Sequence, residues 1–411
     1  MEKLKKLEYS MDSCNHCGQC KWILPPKMSG WDFAEICPIH RYHRFDAYSG
    51  QGILNISKEV LSGRLKIGEG LEKVLYSCTM CGACDVNCKN VRDIEVLETI
   101  HTLRQLCARE GSAPESVKSL CANIEEKGNI YGEDADKRFA FLTENVFEDN
   151  DSETLLFLGC SAYTHPEIAL AAIKLLSAGG VSFRVFKDES CCGAALWRSG
   201  YADKAEKLIK ANVARLKERG IKRIITPCAE CFGAFRAIYP RFAEMDFEIL
   251  HISQVVASLV EEGKLRFAPL SESMKITYHD PCMLGRLSEP WVAWEGEIKP
   301  FGRHVPEKKW RRGYEGVYHE PRVALKAVEG LELVEMPRNN ENALCCGYWS
   351  KNTDPDMSAD TAAERMREAA STEADGLVSC CSFCLDALGN AGKAMDFCVF
   401  LAEQLEEGGA K

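Results

Sequence analysis

Thiolates bind iron strongly and tolerate both of its common oxidation states, and the cysteine spacings of this chain suit that chemistry several times over. Cys160, Cys191-Cys192-Gly193 and Cys228-Ala-Glu-Cys231 form one constellation. Cys282, Cys345-Cys346-Gly347 and Cys381-Ser-Phe-Cys384 repeat it in the same order. The gaps from the second adjacent cysteine to the Cys-x-x-Cys are nearly equal, 35 and 34 residues, whereas the gaps after the first cysteine are 30 and 62 residues. Five thiols exceed what one tetrahedral zinc or one ordinary cubane uses, so each set predicts an unusual thiolate-rich iron–sulfur centre. Gly193 and Gly347 lack a Cβ, which lets the chain turn tightly there and aim amide N–H groups at sulfur. The plainer reading is a buried cysteine pair at a turn, but its recurrence in register with two Cys-x-x-Cys motifs makes chance a poor explanation.

Nearer the N-terminus, Cys14-Asn-His-Cys17-Gly-Gln-Cys20 is completed by Cys37-Pro38, and Cys78-Thr-Met-Cys81-Gly-Ala-Cys84 is followed by Cys88. In two-cluster ferredoxins three close cysteines hold one cluster and the remote fourth ligates the other. That rule assigns Cys14, Cys17, Cys20 and Cys88 to one cubane [4Fe-4S] cluster, and Cys78, Cys81, Cys84 and Cys37 to its neighbour. Two features depart from the usual pattern: 16 residues separate Cys20 from Cys37, and Lys89 stands where a proline follows the fourth cysteine. Zinc also binds Cys-x-x-Cys pairs, yet three ligands within seven residues suit a cube face better than paired zinc knuckles.

The elements that must position these thiols follow from periodicity. After Cys88, apolar Val91, Ile94, Leu97, Ile100, Leu103 and Cys107 recur every three or four positions, predicting an amphipathic helix with Cys107 as a buried structural thiol. From about residue 110 the chain turns charged and irregular up to the acidic run Glu148–Glu153, the expected boundary. Beyond it, four short apolar segments appear twice in one order. Residues 154–160 match 275–282, residues 182–186 match 331–335, residues 223–228 match 376–381, and residues 247–250 match 395–400. Helical stretches over 203–219 and 361–372 lie between them. Alternating strands and helices predict α/β architecture with two small parallel-sheet lobes, behind a helical N-terminal iron–sulfur domain. Ligands of such sheets gather past the carboxyl ends of strands, where the first and last cysteines of each set fall. The expected domains are 1–110, a connector over 111–153, then 154–265 and 266–411.

Composition bounds the function classes. Twenty-two clustered cysteines in 411 residues fit a reducing cytoplasm with metal-bound thiolates, not a disulfide-stapled secreted scaffold. A formal net charge of −10 argues against nucleic acid as a partner. The N-terminus lacks a signal-peptide core, and no stretch of about 18 uncharged apolar residues occurs, so a direct membrane span is not expected. The absence of a Gly-x-Gly-x-x-Gly fingerprint places any flavin or nicotinamide on another subunit.

The duplicated five-cysteine pattern behind the two Cys-x-x-Cys-x-x-Cys triplets resembles the heterodisulfide reductase family, and the fused layout resembles its D-type subunit. The resemblance implies that each five-cysteine set holds a non-cubane [4Fe-4S] cluster, with Cys160, Cys191, Cys192, Cys228 and Cys231, then Cys282, Cys345, Cys346, Cys381 and Cys384, as ligands and catalytic positions. It implies an oxidoreductase subunit in which two cubanes feed two non-cubane clusters and a disulfide is reduced between them to two thiols. Its alternative is an electron-relay subunit of a flavin-dependent, electron-bifurcating or acyl-CoA-linked reductase complex. The partners it implies are a flavoprotein, dehydrogenase, hydrogenase or membrane cytochrome, which would leave the chain cytoplasmic or peripheral to a membrane.

Several single residues invite assignment. His279 suits either a proton or hydrogen-bond donor near the second set or a structural role at the turn before Pro281; His165 is read as structural. Cys380 is expected to face the core. Trp197, Tyr348 and Trp349 either wall a substrate channel or pack the core, with packing favoured. Arg198 and Arg286 either bind an acidic thiol substrate or lie solvated at the surface.

Overall fold

A computed structural model of the chain describes residues 1–143, 146 and 151–406. Of the acidic boundary run, residues 148–150 lie outside the described residues.

The N-terminal part is helical. Helix Gly50–Leu61, opened by Ser49 accepting from Gly52 N, packs against helix Val96–Arg109. The second helix is buried at every position from Val96 to Cys107. That corrects the amphipathic expectation in two ways: Val91 and Ile94 precede the helix, and its polar face is covered too. His101 stacks against Trp197 with centroids 4.1 Å apart, and Glu98 pairs with Arg241 at 2.7 Å, because the first α/β lobe sits where solvent was expected. The connector is also more regular than its composition predicts. Helix Glu115–Lys127 buries Cys121 and Ile124 and ends at Gly128 in the left-handed region.

Two parallel sheets follow. β1 (Thr154–Leu156), β2 (Arg223–Thr226) and β3 (Glu248–His251) form the first, in that spatial order. β4 (Met274–His279), β7 (Leu331–Val334), β8 (Gly376–Ser379) and β9 (Ala394–Asp396) form the second in the order β7-β4-β8-β9. All pairings within the two sheets are parallel. The expected strand over 182–186 shrinks to a single bridge, Arg184 to Leu155, on the side of β1 that matches β7 beside β4. The duplicate topology is therefore complete. The apolar run from Met395 to Phe400 is split: the strand stops at Asp396, whose carboxylate caps helix Phe397–Glu403 by accepting from Cys398 N and Val399 N.

The extra residues between Cys282 and Cys345 carry the antiparallel hairpin of β5 (Glu297–Lys299) and β6 (Arg303–Val305). This insert clasps the N-terminal part beside Cys84 and Cys88. Trp291 Nε1 donates to Glu95 at 3.0 Å, Lys308 pairs with Asp93 and Glu95 at 2.7 and 2.6 Å, and Arg311 pairs with Asp85 at 2.9 Å. Lys89 completes the network by pairing with Asp85 at 2.9 Å and Glu95 at 2.8 Å, fully buried. Burial alone would discharge Lys89, but the two carboxylates hold its pKa above the ordinary value. A proline here would forfeit that anchor.

Candidate iron–sulfur centres

Every one of the 22 cysteines lies among the described residues, and none forms a disulfide. The structure gathers eighteen of them into four groups. Cys14, Cys17, Cys20 and Cys88 line one pocket, with Gly18, Gln51 and Leu54 between them. Cys37 lies with Cys78, Cys81 and Cys84. The remote cysteine of each triplet thus crosses to the other. The 16 residues between Cys20 and Cys37 make this geometry possible by turning back on themselves, with Ile23 N donating to Ala34 O at 2.9 Å and Ile36 N to Lys21 O at 2.8 Å.

The two five-cysteine sets have the same internal connectivity. Neighbouring thiols run Cys160–Cys191–Cys192–Cys231–Cys228 in one set. They run Cys282–Cys345–Cys346–Cys384–Cys381 in the other. Cys160, Cys228 and Cys282 each fall a few residues past β1, β2 and β4, and Cys381 follows β8 by two. Both glycines have positive φ, 82° at Gly193 and 90° at Gly347, and each donates its N–H at 3.4 Å, to Cys191 Sγ and Cys345 Sγ respectively. Gly347 is confined further, since a Cβ there would lie 2.7 Å from Ser358 O.

Chain order is not spatial order. Cys20 neighbours Cys37, Cys81 neighbours Cys345, and Cys228 neighbours Cys381. The four groups therefore follow one another in space in the order of the Cys14 group, the Cys37 group, the second five-cysteine set, then the first. Exposure falls along it. Cys17 is exposed and Cys14 and Cys88 are half-buried, whereas all five cysteines of the far set are buried.

Three buried arginines from three parts of the chain hold the loop at Cys78–Cys81. Arg104 donates to the carbonyls of Leu75, at 2.7 Å, and Cys78; Arg198 donates to Thr79 O and Met80 O at 3.1 and 3.2 Å; and Arg286 Nε donates to Cys81 O at 2.7 Å. Arg198 and Arg286 are each 2% exposed, so surface solvation is wrong for both, and their donors go to backbone carbonyls, to Glu230 and, from Arg198, to Cys282 Sγ. Sequence reasoning missed Arg104 altogether, because lone arginines carry no spacing signal.

His279, at the end of β4, receives Arg365 Nε at Nδ1, 3.0 Å away. That leaves the Nε2–H tautomer, and ligand atoms of His279, Cys346 and Cys384 all lie within 4.8 Å of one another. Burial pushes the His279 pKa down, keeping the ring neutral. His165 is structural: it bridges Glu167 at 2.9 Å and, across the two lobes, Asp386 at 2.8 Å. Cys380 faces the core against Tyr278. Trp197 packs in the core, while Tyr348 and Trp349 line a cavity of about 140 Å³ with Tyr131, Arg198 and Lys351. No cysteine lines the cavity, but lining residues reach both five-cysteine sets: Arg198 donates to Cys282 Sγ at 3.8 Å, and the hydroxyls of Tyr131 and Tyr348 feel the charge of Cys160 and Cys228 and of Cys381 and Cys346. Lys351 Nζ sits 4.0 Å over the Tyr348 ring at its edge.

The donor sets fit iron–sulfur clusters. Burial pushes Cys37 and Cys84 well above the ordinary thiol range, crowded by other sulfurs, and bound metal cations are what would keep such grouped thiols as thiolates.

Comparison with known proteins agrees with this composition. A family model described as a 4Fe-4S dicluster domain matches residues 10–91, and one described as a cysteine-rich domain matches twice, at 154–236 and 304–389. The chain is 31% identical to the D-type subunit of the dihydromethanophenazine:CoB–CoM heterodisulfide reductase of Methanosarcina mazei, over 91% of this chain and 87% of that one. It is 28% identical to the B-type subunit of the fumarate reductase (CoM/CoB) of Methanothermobacter marburgensis, over 77% of this chain and 57% of the relative. It is also 28% identical to the EtfAB:quinone oxidoreductase of Syntrophomonas wolfei, over 67% of this chain and 36% of the relative. Fold and thiol sets together define an iron–sulfur oxidoreductase subunit with a dicluster domain and a duplicated cysteine-rich domain. Within that class, the chain belongs to the family of heterodisulfide reductase D-type subunits.

Proposed function

We propose that electrons enter at the Cys14 group, pass through the Cys37 group, and reach the paired five-cysteine sets, where a disulfide is reduced to two thiols. Cys14, Cys17, Cys20 and Cys88 would hold one cubane and Cys37, Cys78, Cys81 and Cys84 the other. Cys160, Cys191, Cys192, Cys228 and Cys231 would hold one non-cubane cluster, and Cys282, Cys345, Cys346, Cys381 and Cys384 its twin. When bound, these clusters supply one-electron carriers to a reaction that consumes two electrons and two protons per S–S bond. The observation that carries the reading is the succession of neighbouring thiol groups, joined at Cys81 and Cys345 and at Cys228 and Cys381.

The chain's own residues exclude water and orient the substrate. Tyr131, Tyr348 and Trp349 wall the cavity whose lining residues reach both sets, and its volume of about 140 Å³ suits a sulfur-bearing chain end rather than a whole large ligand. Lys351 at its edge offers a cation to an acidic tail. The exposed Cys17 marks the face for an electron-donating partner, a flavoprotein, dehydrogenase, hydrogenase or membrane cytochrome. Among the described residues no helix is long and apolar enough to cross a membrane, so any membrane attachment in this reading comes through such a partner.

An electron-relay subunit of a flavin-dependent, electron-bifurcating or acyl-CoA-linked complex is the second reading. It is favoured by relatives named for other reactions that match 77% and 67% of this chain. Anaerobic reconstitution followed by dye-driven disulfide reduction decides between the two. A disulfide reductase turns over and develops a new paramagnetic signal when one thiol is added to the oxidised protein; a relay shows reducible clusters without a thiol response. Iron far below about sixteen atoms per chain would sink both.

A further inference from the structure

Each five-cysteine set has a buried guanidinium on its first sulfur. Arg138 Nη2 donates to Cys160 Sγ at 3.9 Å, and Arg198 Nη2 donates to Cys282 Sγ at 3.8 Å. Both side chains are 2% exposed. Duplication does not explain the match, because the two arginines occupy unrelated positions. Arg138 comes from the connector, in the turn Ala135–Phe139, and Arg198 comes from helix Ala194–Arg198 of the lobe preceding Cys282. Each reaches in from the segment before the repeat it serves.

Each is also fixed by a carboxylate of the first lobe. Arg138 donates to Glu189 O and to Gly128 O, and lies 3.8 Å from the Glu189 carboxylate. That carboxylate in turn accepts from Leu158 N and Gly159 N, the residues just before Cys160. Arg198 Nε donates to Glu230 at 2.5 Å, within the Cys228-x-x-Cys231 motif, so its fork spans both five-cysteine sets. A cation held in a low-dielectric site favours whichever state of its neighbour carries more negative charge, and hydrogen bonds to ligand sulfur act in the same direction.

Resting on the ligand assignment proposed above, we propose that Arg138 and Arg198 are positioning residues that raise the reduction potentials of the centres at the first and second five-cysteine sets, each through the first sulfur of its set. The step concerned is the uptake of one electron by each centre, with no bond made or broken.

The test is a redox titration of the full-length, anaerobically reconstituted chain, followed by electron paramagnetic resonance, with iron and sulfide measured in each sample. Arg198→Met is expected to lower most the midpoint of the centre at the second set, and Arg138→Met that of the centre at the first. Arg→Lys, which keeps the charge without the forked donor, should give an intermediate shift. Met variants with full iron that titrate at the wild-type potentials overturn the proposal. Should a Met variant lose iron, its Lys variant decides: an intermediate shift supports the proposal and an unchanged potential refutes it. Low iron in the wild-type chain would instead refute the ligand assignment and is separately visible.

Discussion

Cys81 and Cys345 are neighbours across the boundary between the N-terminal part and the second lobe, and the proximity of the Cys345 thiol holds Cys81 well below the ordinary thiol range. It makes the second five-cysteine set, later in the chain, the nearer one to the ferredoxin-like groups. The first set neighbours its twin through Cys228 and Cys381.

The crossing of the remote cysteines leads to a non-additive outcome. Cys88→Ala should remove the same centre as Cys14→Ala, about four irons, and the double variant should lose no more. Cys37→Ala should remove the other centre. Iron analysis with electron paramagnetic resonance distinguishes the pairs.

Lys89 carries the anchor of the hairpin insert. Lys89→Met would leave Asp85 and Glu95 facing only Lys308 and Arg311, and should cost about 3 kcal/mol, the lower end for breaking a buried pair. Urea unfolding of the anaerobic protein measures it. A variant as stable as wild type would show that the remaining cations suffice.

His165 makes part of the stability depend on pH. Its hydrogen bond to Asp386, and next that to Glu167, raise its pKa to about 9, against about 6.5 unfolded. The folded state therefore binds the proton more tightly. The contribution is complete below about 6.5 and is lost as pH rises through about 9. The ring is partly exposed, so the effect is about 1 kcal/mol. His165→Leu should flatten the dependence of the unfolding midpoint between those pH values.

The glycines beside the adjacent cysteines should respond unequally. Alanine at either position is strained by the positive φ, about 1–3 kcal/mol. Gly347→Ala adds a clash with Ser358 O at 2.7 Å, whereas Gly193→Ala meets Leu208 only at 3.4 Å. Thermal unfolding should rank Gly347→Ala the less stable.

If the proposed disulfide reduction takes place at this cavity, Lys351 bears on substrate choice. Lys351→Met should raise KM for a disulfide with an anionic tail about tenfold, ~1.4 kcal/mol, with kcat unchanged. A neutral disulfide should show no difference. Equal effects on both would remove Lys351 from substrate recognition.

Much of the molecule is legible in the chain alone. The repeated strand order, both Cys-Cys-Gly turns and the N–H groups of Gly193 and Gly347 aimed at sulfur follow from spacing and from glycine stereochemistry, which are local. Where expectation fails, packing overrules a local signal. The helix is buried all round from Val96 to Cys107 because a lobe covers its polar face, and the strand ending at Asp396 yields to a helix because a carboxylate caps it. Arg198 and Arg286 look like surface residues in a sequence, since nothing there shows which carbonyls they will meet.

The sequence by itself determined which thiols gather and into how many groups, because short spacings hold the Cys-x-x-Cys sulfurs within reach whatever the rest of the chain does. Only the tertiary structure decided the order of the four groups, the crossing of Cys37 and Cys88, and the arginine on each leading sulfur. Those depend on how separate lobes pack, and the packing is set by surface shape and buried charge pairs that leave no periodic trace along the chain.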